Sequence, residues 1–238
     1  KAAEDAPLGV LMMAKICADY LPPAVLNVLT GYGEECGAPL ARHPLVRKLS
    51  FTGSTEVGKL IMHAAADRVV PVSLELGGKS PIIVFPDADD DRTVDGVIAG
   101  MRFTRQGQSC TAGSRLFLHR SIFDSLLGKL ADKLAALKIG DPTEEATDMG
   151  AIINRKQFDR VCAYIEDGLR QKEARLVLGG LPPREGPLAR DTSFSRRSSQ
   201  RSETSGESPV RKFSVRCWWP SRGRTSRTPC AWPTKVTT

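Results

Sequence analysis

Apolar positions recur at helical spacing over Ile122–Ala136, and this stretch is the most regular helix signal in the chain. A second apolar-rich segment, residues 7–20, reads as an amphipathic helix with Pro7 at its start, closed by Pro22-Pro23. Ala24–Leu29 reads as a short strand, Gly31-Tyr32-Gly33 as a turn and Glu34–Leu40 as a helix. Lys48–Phe51 is predicted as a strand that runs into a glycine loop, followed by a helix from Ser54 to Asp67 and a strand over Val69–Leu76. Pro81–Phe85 reads as a buried strand. An acidic helix start at Asp87–Asp91 follows, with a helix through Phe103. Ser114–His119 is a further strand, Gly140-Asp141-Pro142 a turn, Gln157–Gln171 a helix, and Ala174–Leu178 a strand closed by Gly179-Gly180.

Strands that alternate with helices predict an α/β fold, with parallel strands covered by helices. The 238 residues suffice for one or two domains. The net charge of +7 changes this picture little, because it is confined to one end. Residues 1–190 hold 24 basic and 24 acidic residues, whereas residues 191–238 hold 10 and 3. A neutral body gives no reason to expect a nucleic-acid partner, and no apolar run is long enough to cross a bilayer. The six cysteines show neither zinc-ligand nor disulfide spacing, and reduced thiols fit the cytoplasm. His43, His63 and His119 lack metal-ligand spacing, and Asp87–Asp91 lacks that of a calcium loop, so no metal is expected.

Three segments carry candidate chemistry. Cys110 lies in Gly107-Gln108-Ser109-Cys110, among small residues that leave room for a substrate. A thiolate there could attack a carbonyl, and Arg102, Arg105 and Arg115 are nearby cations that would favour it. Glu75, 35 residues upstream, ends an apolar strand before Gly77-Gly78-Lys79; an apolar setting would raise its pKa and suit a general base. Phe51-Thr52-Gly53-Ser54-Thr55-Glu56-Val57-Gly58 is a glycine loop at a helix start, where backbone N–H groups can receive phosphate. Its spacing is neither that of a P-loop nor that of the usual dinucleotide fingerprint.

Together and in this order, the three segments resemble the aldehyde dehydrogenase superfamily over about residues 1–190. The resemblance implies a partial Rossmann-type cofactor domain in residues 1–77 and a partial α/β catalytic domain in residues 78–190. It implies Cys110 as the nucleophile that passes through a thiohemiacetal and a thioester, and Glu75 as the base that activates the hydrolytic water. Phe51, Gly53, Ser54 and Gly58 would form the pyrophosphate loop, with Ser54 as the phosphate contact. Lys1 and Glu4 resemble the family's clamp on the adenosine ribose, and the carboxylate favours NAD over NADP. Gly33 would back the adenine, and Leu76 and Gly77 would lie near the nicotinamide. The implied partners are a small aldehyde and further copies of the chain, as a homodimer or homotetramer.

The chain opens at Lys1 within a pattern and is expected to be a fragment that is unstable and inactive by itself. After Leu188 the pattern collapses into a basic tail with 10 Ser, 7 Thr and three Trp over residues 191–238, which reads as disordered. Shifted by one base, synonymous codons for Asp191–Gln200 and Glu207–Arg222 can spell segments that resemble the family's continuation, which points to a frameshift near Arg190. Other readings are a relative that passes the thioester to coenzyme A, a nucleic-acid binder that uses its tail, and a non-catalytic module.

Overall fold

The computed structural model describes residues 1–171 and 174–182, and the backbone of 198–201 and 210–213. The first half of the chain is built on one parallel pair. Strand β1 (Leu49–Gly53) lies beside β2 (Val72–Leu76), with Leu49 opposite Val72 and Gly53 opposite Leu76. A parallel pair needs a crossover, and helix α3 (Thr55–Ala66) supplies it. Before them come α1 (Pro7–Cys17), a π-helical turn at Gly33–Gly37, and the short α2 (Ala38–Arg42). The core of this half is small: Ala41, Leu49, Ala64 and Ala65, with Val46, Ile61 and Val70 packed against them. Arg68 ties its edges, donating to the carbonyls of Ala41, His43 and Val46.

The second half carries most of the buried apolar surface. Strand β3 (Ser80–Val84) pairs in parallel with β4 (Gly113–His119), and α4 (Asp91–Gly100) lies in the crossover between them. Helix α5 (Phe123–Ala136) follows β4 and buries Phe123, Leu126, Leu127, Leu130 and Leu134 along one face. Its stripe meets Val94, Val97 and Met101 at the end of α4 and Leu116 and Leu118 of β4 in one cluster. The acidic run starts α4 as predicted: Asp90 caps the helix by accepting from Thr93 N at 2.7 Å. Helix α6 (Arg155–Arg170) leads to β5 (Ala174–Leu178), with Asn154 as its N-cap.

Most predicted elements are present, with ends displaced by one to three residues. Ala24–Leu29 is a correction: it forms no strand, and Ala24 has a φ of 65°. A strand forms only against a partner, and among the described residues the segment's backbone bonds to its surroundings are Ala2 N–H to Leu29 C=O at 2.9 Å and Val25 N–H to Pro22 C=O at 3.3 Å, neither in a strand ladder. The predicted amphipathic helix is formed as α1 but buries none of its residues; Leu8 is 78% exposed and Met12 68%. In β3, expected to be buried, Val84 is buried while Ile83 is 53% exposed. The tail was read as patternless, yet β6 (Ser198–Arg201) pairs antiparallel with β5, and β7 (Val210–Phe213) pairs antiparallel with β4. Both occupy free strand edges, where backbone groups invite pairing whatever the side-chain pattern. The rest of residues 191–238, and the region of the inferred frameshift, lie outside the described residues.

This unequal division of the core gives a stability contrast. Leu126→Ala empties a fully buried position and is expected to cost about 2–5 kcal/mol. Leu8→Ala, on the exposed face of α1, is expected to stay within about 0.5 kcal/mol. Urea unfolding of the two variants beside the parent chain measures both.

Candidate active site

The glycine loop begins where β1 ends. Gly53 takes a position that no side chain could share, because a Cβ there would lie 2.5 Å from Cζ of the Phe51 ring, which folds back over it. Ser54 is the N-cap of α3; its Oγ accepts from Val57 N at 3.3 Å, so the predicted phosphate contact also holds the helix start. Gly58 is buried in the first turns of α3, and a Cβ there would meet Leu76 Cδ2 at 2.9 Å. Its hydrogen lets the helix close onto β2, so Gly58 and Leu76 pack against each other. The register of the parallel pair sets Thr52 opposite Glu75 and Gly53 opposite Leu76, which brings the glycine loop and the Glu75 segment to the carboxyl ends of neighbouring strands. In open α/β sheets that is the end where ligands bind.

A cleft of about 610 Å³ opens beside these strands, lined by Lys1, Glu4, Gly33, Phe51, Gly53 and neighbouring residues. Five of the predicted cofactor residues thus share one concavity. Lys1 Nζ pairs with Glu4 Oε1 at 2.8 Å. The Lys1 ammonium, first as a hydrogen-bond donor and also by its charge, holds the Glu4 carboxyl below its ordinary 4.5, and backbone N–H donors, including that of Gly33, act in the same direction. Glu4 is therefore an ionised acceptor at the cleft wall. The donor set fits a dinucleotide: a carboxylate for sugar hydroxyls, open glycine backbone, and a helix start for phosphate.

The thiol is built on the other half. Ser80, five residues after Glu75, pairs with Gly113, three residues after Cys110, so the parallel register of β3 and β4 sets the exit of the Cys110 loop beside the start of β3. Arg115 Nε donates to Lys79 O at 2.8 Å and so ties β4 to the same connection. That guanidinium lies over the Phe117 ring, 5.9 Å from its centroid. The loop is tightly wound. Arg102 (φ 56°), Gln106 (φ 53°) and Gly107 (φ 70°) are all left-handed, at on the order of 1–2 kcal/mol for each of the two with side chains.

Cys110 is exposed at the end of this loop, and Glu75 is exposed at the end of β2. The apolar setting expected around Glu75 is therefore corrected: strand-end position, rather than burial, defines it here. Gly77 follows at the strand end, half-buried. Sequence reading missed Gln106, whose Nε2 donates to Gly150 O at 3.0 Å, and the partner role of Gln108. Both stand out only as polar side chains inside a small-residue motif. Among the described residues no group of three or more His, Cys, Asp or Glu could hold a metal ion, and no helix is long and apolar enough to cross a membrane.

The architecture is α/β, with a cleft that opens beside β1 next to the glycine loop. Residues 1–195 match the aldehyde dehydrogenase family, and the chain belongs to that family of oxidoreductases. It is 47% identical to hydroxyisobutyraldehyde dehydrogenase of Mycolicibacterium austroafricanum over 188 residues, which is 79% of this chain and 37% of the relative. It is 46% identical to betaine aldehyde dehydrogenase 1 of Oryza sativa subsp. japonica over 184 residues, 77% of this chain and 36% of that one. The crystal structure of PnpE in complex with nicotinamide adenine dinucleotide superposes with a TM-score of 0.78 at 35% identity, covering 82% of this chain and 40% of PnpE. The chain thus spans a little over a third of the length of the curated relatives it matches.

Two measurements test the geometry. Gly58→Ala should lower stability by about 1–3 kcal/mol through overpacking on Leu76, and Leu76→Val should restore part of it. Thermal unfolding of the single and double variants reads this. Glu4 should titrate below 4.5 in the folded chain, and Lys1→Ala should raise its midpoint, as followed by carboxyl NMR shifts. Because the folded value is depressed, the pair's stabilising effect is present above the unfolded value and disappears as pH falls through the folded one.

Proposed function

We propose that the chain carries the nucleophile, the general base and part of the cofactor site of an NAD-dependent aldehyde dehydrogenase that releases a carboxylic acid. The observation that supports this reading is a pair of parallel registers. Thr52 lies opposite Glu75, and Ser80, five residues after Glu75, lies opposite Gly113, three residues after Cys110.

Cys110 Sγ adds to the aldehyde carbon. A C–S bond forms, and the carbonyl oxygen becomes an oxyanion that the Cys110 backbone N–H helps to hold. NAD, when bound, would supply the hydride acceptor that the oxidation to the acyl level needs. Lys1 and Glu4 would hold its adenosine ribose, where the carboxylate would disfavour a 2′-phosphate. Gly33 would back the adenine, the α3 start with Ser54 would hold the pyrophosphate, and Leu76 and Gly77 would lie at the nicotinamide end. The acyl group then rests on Cys110 as a thioester. Glu75 takes a proton from water, the hydroxide adds to the acyl carbon, and the C–S bond breaks to return the thiolate and release the acid. The substrate is a small aldehyde. Exposure of Glu75 supports access to water at that step.

Half-reactions suit a chain of this length better than turnover, which is expected to be negligible for the chain alone. An activated ester such as a nitrophenyl acetate should acylate Cys110 in preference to Cys17, Cys36 and Cys162, as located by peptide mass spectrometry. Glu75→Gln should prolong the life of that acyl group by on the order of 10²-fold. Equal labelling of all cysteines, or an unchanged acyl lifetime, would overturn the assignment. NAD should bind more tightly than NADP by calorimetry, and Glu4→Gln should narrow the difference.

A further inference from the structure

The two glutamines of the thiol loop form a directed chain. Gln106 Nε2 donates to Gly150 O at 3.0 Å, which turns Gln106 Oε1 the other way to accept from Gln108 Nε2 at 2.7 Å. Gln108 Oε1 is then left to accept from Ile153 N at 3.2 Å. Each amide uses one donor and one acceptor, and reversing either one would oppose donor to donor or acceptor to acceptor at two places. Both ends of the chain are backbone atoms of the 150–153 segment, immediately before α6. That segment is itself anchored: Asn154 Oδ1 accepts from Gln157 N at 2.9 Å as the helix cap, while its Nδ2 donates to Asp5 Oδ2 at 2.9 Å, next to Glu4.

The loop needs such an anchor. Left-handed Arg102 and Gln106 disfavour it locally, and Gln106 is both a strained residue and a link of the chain. The thiol it presents lies two residues beyond Gln108 and is exposed. A loop of this shape with an outward thiol persists only where contacts outside it over-determine it.

On the reading of Cys110 as the nucleophile, we infer that Gln106 and Gln108 are positioning residues. They act in series to hold the Cys110 loop against the 150–153 segment, and through Asn154 and Asp5 they tie the thiol to the cofactor side of the molecule. Neither touches the substrate; they act by fixing where Sγ emerges.

The test is the rate at which iodoacetamide alkylates Cys110 in the full chain, resolved by peptide mass spectrometry, with Cys17 and Cys36 as internal references. Methionine matches glutamine in length and removes both hydrogen bonds. Gln108→Met should slow Cys110 by on the order of tenfold, within the range that two net hydrogen bonds allow, and leave the references unchanged. Amide exchange at Ile153 should rise with it. Gln106→Met should do the same, and because the links act in series, the double variant should be no slower than either single one. Additive losses, an unchanged or faster Cys110, or slowing of all three cysteines together would overturn the inference. The outcome is independent of the acyl lifetime that tests Glu75. A series effect on alkylation without acyl turnover would leave the positioning role standing and remove the hydrolytic one.

Discussion

The close approach of Ile82 to Gly113 is the contact on which the second half of the chain depends. A Cβ at Gly113 would lie 2.5 Å from Ile82 Cδ1 and 3.4 Å from Met101 Cγ, so this position admits a hydrogen and little else. The gap lets β3 lie directly beside the start of β4 and lets the end of α4 close over both. The register slips at the same place: Ser80 faces Gly113, but Pro81 faces Arg115. Proline has no N–H to give the ladder, and the extra residue on β4, Ser114, absorbs the mismatch. Ser114 is buried, and its Oγ has no hydrogen-bond partner among the described residues. The bulge sets the direction from which the chain enters β4, and Cys110 sits three residues before that point. The thiol's location is thus a consequence of packing at a glycine.

Stability and chemistry are divided unequally between the halves. Among the described residues, the cluster formed by β3, β4, α4 and α5 buries thirteen, and the Cys110 loop leads into it through β4. Among the described residues, the cluster beside the first-half cleft buries four, three of them helical alanines. Apolar burial is worth roughly 25 cal/mol per Å², so the second half holds itself together while the first contributes much less. Local opening follows the low-stability end of a structure. The glycine loop, the Lys1–Glu4 pair and α1 therefore belong to the half with the smaller buried core.

What could be read from the sequence follows from this division. Helices α3, α4 and α5 and strands β1 and β4 were legible because their apolar spacing, caps and glycine punctuation all report burial against a neighbouring element. Ser54 and Asp90 stand where a cap is needed, and both cap. The Ala24–Leu29 segment has strand composition without a strand partner, and composition alone cannot report whether a partner is present. The candidate site was legible as motifs, because the small residues around Cys110 and the glycines after Glu75 are local features. Its assembly was not, since it rests on two registers that connect residues 23 and 33 positions apart. The left-handed turns at Arg102 and Gln106 were also invisible: nothing in an arginine or a glutamine announces a positive φ. The side-chain chain through Gln108 joins residues 45 apart and has no local signature at all.

These long-range ties explain how a loop of unfavourable conformation can sit on the surface. Its backbone bonds are local turns, such as Gly107 N to Arg102 O at 2.9 Å, and local turns alone would leave several conformations close in energy. Two things distinguish the observed one. Gly113 fixes the exit of the loop into β4, and the glutamines fix its middle against the segment before α6. A thiol placed in this way owes its position to tertiary contacts that depend on both sides. Small residues around the sulfur leave it reachable, and the rigidity comes from atoms further out. That separation lets the surroundings of Cys110 remain open to a substrate without leaving the thiol free to wander.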